Sequence, residues 1–345
     1  MAAANGRLLV VNGVLQSPGA PSVSAFLEAM PGAYTTTRTH GGASAVLFWE
    51  RHLRRLAASA RILAEARADA PFVSRFLDPP SRLRQLVDDS VRVGLRGAMN
   101  ARAPEGGFGG EELAITALLS GWGEEEAGAR GLDVHVHIGF YAPQVFGVGA
   151  RLAVAGRGRE MAEAKSSEWV RVRKCMEKLR PPLTTELLLS NDGDRILEGS
   201  VTNFFVVCRR KVTKSDLDES LSGSDDQYSV QVQTAPVSDG VLPGVIRQLV
   251  IEICSKKEIP FQEVAPSWAE CELWEEAFIT NSLRLLQHVE IIQAPASCDK
   301  LDLKTWRQVT WVEKQFEGPG IITTEIQRAI LEQAVIDGFP ISSLL

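Results

Sequence analysis

The sequence predicts an α+β protein built from two domains. Its 345 residues, 45% of them hydrophobic, suffice for one large core or two moderate ones. Strand-like and helix-like stretches occur in both halves. Between them PQVFGVGARLAVAG is punctuated by Pro and Gly, as an interdomain connection would be. The expected division is a smaller N-terminal domain over 1–145 and a larger C-terminal domain over 146–345.

Residues 7–14 read as a strand closed by a turn at Asn12-Gly13. AYTTTRTH reads as a second strand, because Tyr and the β-branched Thr suit a pleated surface better than a helix. After Gly41-Gly42 the chain returns through SAVLF. WERHLRRLAASARILAEARA and PSRLRQLVDDSVRVGLRGAMN then carry apolar residues at helical spacing. APEGGFGGEE reads as a loop, and ELAITALLSGW and LDVHVHIGFYAP as strands. In the second half a strand is expected to reach Lys165, followed by a helix near 168–179. ELLLSND is the next strand, turning at Asp192-Gly193, and RILEGSVTNFFVVC is its hairpin partner. The polar stretch 213–227 reads as a mobile extension of a hairpin. QVQTAPVSDGVLPGVIRQLVIEICSKKEIP passes from strand through a turn into a helix. A strand, a short helix and a strand pair follow up to VEII. The tail GPGIITTEIQRAILEQAVIDG is an amphipathic helix that Thr323 or Thr324 would cap.

Composition excludes several function classes. A net charge of −6 argues against a nucleic-acid footprint, which needs a clustered basic face. The densest basic run, RHLRRLAASAR, has helical spacing and fits a solvated helix face. Five scattered cysteines with no Cys-x-x-Cys or Cys/His ligand spacing look like reduced thiols, and no metal site is expected. His135 and His137 share one face of a strand, but two ligands without a third make ordinary strand histidines the better account. No stretch reaches the apolar length of a membrane span. The early strand leaves no room for a transit or secretory segment, so the expected location is the cytoplasm.

Four places can carry chemistry. Lys165 stands where strand gives way to helix, where an amine can be held rigidly and partly desolvated for Schiff-base formation. A surface lysine is the plainer account of such a residue taken alone. Lys174, its nearest rival, sits among Arg171, Arg173 and Lys178 in what reads as an exposed helix. Glu198 is a lone acid among apolar neighbours in ILEGSVTNFF and must be paired. A protonated pyridine nitrogen would pair it, as would an arginine such as Arg195. In GVLPGVIRQLV, a Pro-Gly turn feeds a helix whose first amides, those of Val245 and Ile246, are free to bind phosphate or merely mark a turn. Thr280, Asn281 and Ser282 end an apolar strand, where they can hold a phosphate or cap the next turn. A lysine and a carboxylate in different elements, with anion sites beside them, suit pyridoxal phosphate.

With VNG, AYTTTR, HLRRLAASA, AK before a helix, LEGSVTNFFVV, TAPVSDGVLPGVIR, EEAFITNSL and GPGIITTEI in that order, nearly the whole chain resembles the class IV aminotransferase family. These are the fold type IV pyridoxal phosphate enzymes, among them branched-chain and D-amino-acid aminotransferases and aminodeoxychorismate lyase. The resemblance implies a D-amino-acid aminotransferase-like fold, pyridoxal 5'-phosphate as cofactor and a homodimer. It implies Lys165 as Schiff-base lysine and general acid/base, and Glu198 as partner of the pyridine nitrogen. Arg55 matches the arginine of the family's His-x-x-Arg-Leu helix. Val245 and Ile246 match the amides of the phosphate cup, and Ser282 its hydroxyl donor. Thr202 and Asn203 fall in the segment beneath the ring, and Tyr34 on the substrate-facing strand. Arg38, Trp49 and Trp169 would offer a guanidinium or indole to substrate, or simply pack. The implied activity is amino-group transfer between a small amino acid and a 2-oxo acid. A lyase of the aminodeoxychorismate type and a homologue that binds cofactor without turnover are the alternatives. Phe48, four residues before His52 where an arginine could offer a further phosphate contact, and Asn281-Ser282 lean toward the lyase.

Overall fold

The computed structural model describes residues 6–67, 77, 80–101, 112–121, 131–211, 228–296 and 305–345. Residues 103–111 and 213–227, read above as a loop and a hairpin extension, lie outside these. In chain order the elements are β1 (Arg7–Val11), β2 (Val14–Leu15), α1 (Val23–Ala29), β3 (Ala33–His40), β4 (Ala45–Val46), α2 (Trp49–Ala66), α3 (Pro80–Ala101), β5 (Glu112–Ser120) and β6 (Asp133–Tyr141). They continue through β7 (Ala150–Val154), α4 (Glu168–Met176), β8 (Glu186–Ser190), β9 (Ile196–Gly199), β10 (Asn203–Lys211), β11 (Tyr228–Thr234), α5 (Val245–Lys256), β12 (Phe261–Glu263), β13 (Trp274–Asn281), β14 (Leu285–Pro295), β15 (Trp311–Gln315), α6 (Ile321–Ile336) and β16 (Phe339–Pro340).

The chain divides into two compact units. The first comprises Met1–Gln144, Glu163–Cys175 and Glu332–Leu345, and the second Val145–Ala162 and Met176–Leu331. In the first, an antiparallel sheet runs in the order β16-β4-β3-β5-β6-β1-β2. Asn12 and Gly13, at φ 49° and 77°, make the tight turn between β1 and β2 that the sequence signals. Leu53, Leu56, Ala60 and Leu63 recur at three- and four-residue spacing along α2, and Val87, Val91 and Leu95 at four along α3. Both stripes are buried in one core with Val10, Ile115, Val136 and Ile138 of the sheet. Each such large side chain contributes about 1.5–3 kcal/mol by leaving water. Only part of the basic run on α2 is a solvated face. Arg54 and Arg61 are exposed, whereas His52 and Arg55 are buried.

The second unit holds a sheet in the order β12-β11-β10-β13-β14-β7-β8-β9, and β9 pairs with β10 as well, so the sheet closes on itself. β7 lies parallel to β8 and β14, while β13 runs antiparallel to both β10 and β14. Leu152, Val154, Leu188, Ile196, Phe204, Val206, Ile279 and Val289 fill its interior by the alternation expected of strands.

Three local expectations are corrected. The strand expected to reach Lys165 ends at Val154, and Gly156 at φ +93° turns the chain away. RILEGSVTNFFVVC is two strands rather than one, because Ser200, Val201 and Thr202 form a turn in which the Gly199 amide donates to the Thr202 carbonyl at 2.9 Å. Neither Thr323 nor Thr324 caps α6. The Ile322 and Thr323 amides donate to the Glu276 carboxylate at 3.0 and 2.7 Å, and the Thr324 hydroxyl donates to the Gly320 carbonyl. A full carboxylate at a helix N-terminus is the stronger acceptor and meets the helix dipole favourably. Among the described residues, no helix is long and apolar enough to cross a membrane.

Candidate active site

In the first unit, Lys165 sits just before α4 with its backbone pinned on both sides. Its amide donates to Ser59 Oγ at 3.0 Å, and its carbonyl accepts from the Tyr34 amide at 2.9 Å. The bridge between Ala33 and Ser166 ties the same segment to the start of β3. The side chain is half-buried, and Nζ lies 4.8 Å from the centre of the Tyr34 ring, within range of a cation–π attraction. Lys174, by contrast, is exposed and pairs with Glu28 at 2.9 Å.

Arg55 is buried on α2, and its NH2 donates to Thr35 Oγ1 at 2.8 Å. Thr35 Oγ1 is also 2.8 Å from His52 Nδ1. A guanidinium can only donate, and Arg55 NH2 lies 2.8 Å from the Thr35 oxygen and 3.4 Å from His52 Nδ1, so Nδ1 is an acceptor and the Thr35 hydroxyl donates to it. That assignment puts the imidazole proton on Nε2, which is buried with no hydrogen-bond partner among the described residues. Burial, then the charges of Arg55 and Lys165, hold His52 well below the usual histidine range, so it is neutral here. Thr35 faces α2, while Tyr34 and Arg38 lie on the opposite face of β3 by the two-residue alternation. Arg38 is buried, and its NH1 donates to the Thr39 carbonyl. Phe48 is 1% exposed and left-handed at φ 49°, just ahead of α2, so it is a packing residue. Arg51 pairs with Asp337 at 3.7 Å.

In the second unit, Glu198 closes a row across three strands: Glu198 of β9 is paired with Asn203 of β10, and Asn203 with Thr280 of β13. Its side chain is 1% exposed and does find an arginine, but that arginine is Arg159 rather than Arg195. Arg159 donates to Glu198 Oε1 from Nε at 2.8 Å and from NH2 at 2.5 Å. Oε2 accepts from the Leu242 amide at 3.2 Å and from Asn203 Nδ2 at 3.4 Å. The Asn203 amide group also donates to the Leu242 carbonyl at 2.9 Å.

The turn that includes Leu242 leads into α5, whose first residues are Val245 and Ile246. Gly244 is its N-cap, and no side chain caps the helix, so its first amides are presented by backbone alone. A Cβ on Gly244 would fall 2.0 Å from Asn203 Oδ1, so glycine is what lets Asn203 lie against this turn. Thr202 lies beside the row, and its hydroxyl donates to Glu186 Oε1 at 2.9 Å. The Val201 amide donates to the same oxygen, and Arg284 to Oε2 at 2.9 Å. Asn281 Oδ1 accepts from the amides of Leu283 and Arg284, so it caps the turn that carries Ser282. Thr280 Oγ1 is buried with no hydrogen-bond partner among the described residues.

Lys165 thus meets the Tyr34 ring, while Arg55 stands with Thr35 and His52 on the other face of β3, and Arg38 lies further along the Tyr34 face. Glu198, Thr202, Asn203, Val245, Ile246 and Ser282 gather at one end of the closed sheet. The donor set fits pyridoxal phosphate. The first unit offers an amine, and the second a buried carboxylate, helix amides with no side-chain cap and an orphaned buried hydroxyl, each suited to one part of that molecule. Arg159, Thr35, His52 and Glu186 were missed in the sequence, because each acts on a residue far along the chain.

Residues 183–292 match the family model for amino-transferase class IV. No curated protein matches the chain. A branched-chain aminotransferase from the archaeon Thermoproteus uzoniensis, solved with norvaline, superposes with a TM-score of 0.61 at 20% identity over 96% of this chain and 98% of that one. A hypothetical aminotransferase from Mycobacterium tuberculosis in a PLP-bound form gives 0.61 at 16% identity over 96% and 99%. A 4-amino-4-deoxychorismate lyase from Pseudomonas aeruginosa gives 0.56 at 16% identity over 94% and 98%. Residues 183–292 thus resemble the class IV amino-transferase model, and the chain as a whole shares the fold of the superposed enzymes.

Proposed function

We propose that the chain is a pyridoxal-phosphate-dependent aminotransferase that moves an amino group between a small amino acid and a 2-oxo acid, as a homodimer. The observation that carries this reading is Glu198, a buried carboxylate in register with Asn203 and Thr280 at the start of a helix with no side-chain cap. When bound, the cofactor supplies an aldehyde for an amine and a protonated ring that draws electron density from the substrate α-carbon. Lys165 would offer Nζ to that aldehyde and would take a proton at Nζ from the substrate α-carbon. Ser59 and Tyr34 keep its backbone still during that exchange. Glu198 keeps the ring nitrogen protonated. The amides of Val245 and Ile246 and the Ser282 hydroxyl would hold the phosphate, and Arg55 is the guanidinium the first unit would offer it. Asn203 and Thr202 support the ring from their fixed positions, while Tyr34 and Arg38 face the substrate.

A lyase that eliminates from an aminodeoxychorismate-type substrate is the second reading. It is supported by Asn281-Ser282 and by the fold shared with the Pseudomonas aeruginosa lyase. The test is the visible absorption spectrum of the protein with added pyridoxal phosphate, for wild type and Lys165→Ala. A pH-sensitive band distinct from that of free pyridoxal phosphate, present in the wild type and absent in the variant, is the expected result. Dependence of turnover on a 2-oxo acid acceptor then marks the aminotransferase, and turnover without one the lyase. A cofactor-saturated wild type with no band would refute the enzyme and leave a homologue without turnover.

A further inference from the structure

We infer that Arg159 is a positioning residue that keeps the shared proton on the cofactor's ring nitrogen rather than on Glu198; this rests on the function proposed above. The carboxylate is divided between two kinds of partner. Oε1 takes two charge-assisted bonds from one guanidinium, at 2.8 and 2.5 Å. Oε2 accepts from neutral donors at longer range, the Leu242 amide at 3.2 Å and Asn203 at 3.4 Å. Asn203 has a better acceptor in the Leu242 carbonyl at 2.9 Å, so its bond to Glu198 is the one most easily given up. The Oε2 edge is thus the edge offered to an incoming N–H, and Arg159 fixes the carboxylate so that it is.

The charge of Arg159 matters as much as its geometry. A carboxylic acid and a pyridine nitrogen that share one proton form either a neutral pair or an ion pair. Taking charge into a buried place favours the neutral pair, in which the acid holds the proton and the ring ceases to withdraw electrons. Arg159 sits on Oε1, bonded to the carboxylate itself and therefore nearer to it than to anything beyond Oε2. A cation so placed disfavours the neutral acid more than it disfavours the protonated ring nitrogen. The guanidinium is 7% exposed, so solvent screens this effect little.

The test loads the full-length protein with pyridoxal phosphate labelled with nitrogen-15 in the ring and follows the ring-nitrogen resonance from pH 6 to 8. Wild type and Arg159→Lys, which keeps a cation, are expected to show the protonated-nitrogen signal. Arg159→Met is expected to lose it, with the signal moving toward that of the unprotonated ring. Should Arg159→Met not fold, Arg159→Gln still removes the charge while leaving a donor for Oε1, and the same loss is expected. A neutral variant that binds the cofactor and keeps the wild-type resonance would overturn the inference and leave the proposed function standing. Failure of the wild type to take up the labelled cofactor would overturn both.

Discussion

Gly244→Ala is a sharp test of how the end of the closed sheet is built. Gly244 has φ −65° and ψ 141°, which any residue adopts, so backbone strain is not at issue. Its new Cβ would stand 2.0 Å from Asn203 Oδ1 and 3.2 Å from the adjacent Cγ, far inside ordinary contact. Asn203 must therefore rotate away, which breaks its 2.9 Å bond to the Leu242 carbonyl and its contact with Glu198. Two buried polar groups left without partners cost about 1–3 kcal/mol each. Against this, the alanine gains roughly 0.4–1 kcal/mol by restricting the unfolded chain. The net expectation is a loss of about 2–4 kcal/mol, or a fall in melting temperature on the order of 5–10 °C. Thermal unfolding of the cofactor-free protein measures it. In an Asn203→Ala background the clash has no object, so adding Gly244→Ala should cost far less than it does alone. A Gly244→Ala protein as stable as wild type, or an unchanged penalty in that background, would refute the reasoning.

Two other expectations follow from the same geometry. Glu276→Ala removes the acceptor for the first amides of α6 and should destabilise the protein by about 0.5–2 kcal/mol in urea unfolding, whereas Thr323→Val, which replaces a hydroxyl that caps nothing at equal volume, should not. His52 is held below its unfolded value of about 6.5, so the unfolded state binds more protons below that pH and stability must fall as pH falls from there. The unfolding free energy measured between pH 7 and 5 should therefore drop less steeply for His52→Gln than for wild type, by up to about 1.4 kcal/mol per pH unit, and equal slopes would count against a neutral buried His52.

Much of this protein is legible one element at a time. The apolar stripes of α2 and α3, the Asn-Gly turn, the strand AYTTTRTH and the Pro-Gly entry to α5 are local patterns, and local patterns set local structure. Where a pairing partner lies far along the chain, the sequence is silent. The acceptor that caps α6 is Glu276, 46 residues before the amide it serves, while two threonines inside the helix were the nearer candidates. Glu198 needed a cation, and Arg195, three residues away, was the obvious neighbour. In the fold that partner is Arg159, because the turn after β7 brings Arg159 back to β9.

The sequence by itself determined which chemical groups this protein has to work with. It holds a lysine before a helix, a lone acid among apolar residues and small polar residues at strand ends, and these follow from residue type and periodicity. Only the tertiary structure decided how those groups are held. It gave Lys165 a backbone fixed by Ser59 and Tyr34, and gave Glu198 one edge bound to a cation and the other to neutral donors. It also buried Arg55 and His52 out of a run that reads as solvent-facing. The reason is that hydrogen bonds and charge pairs form between groups near in space, and strand register and turns set that nearness across dozens of residues.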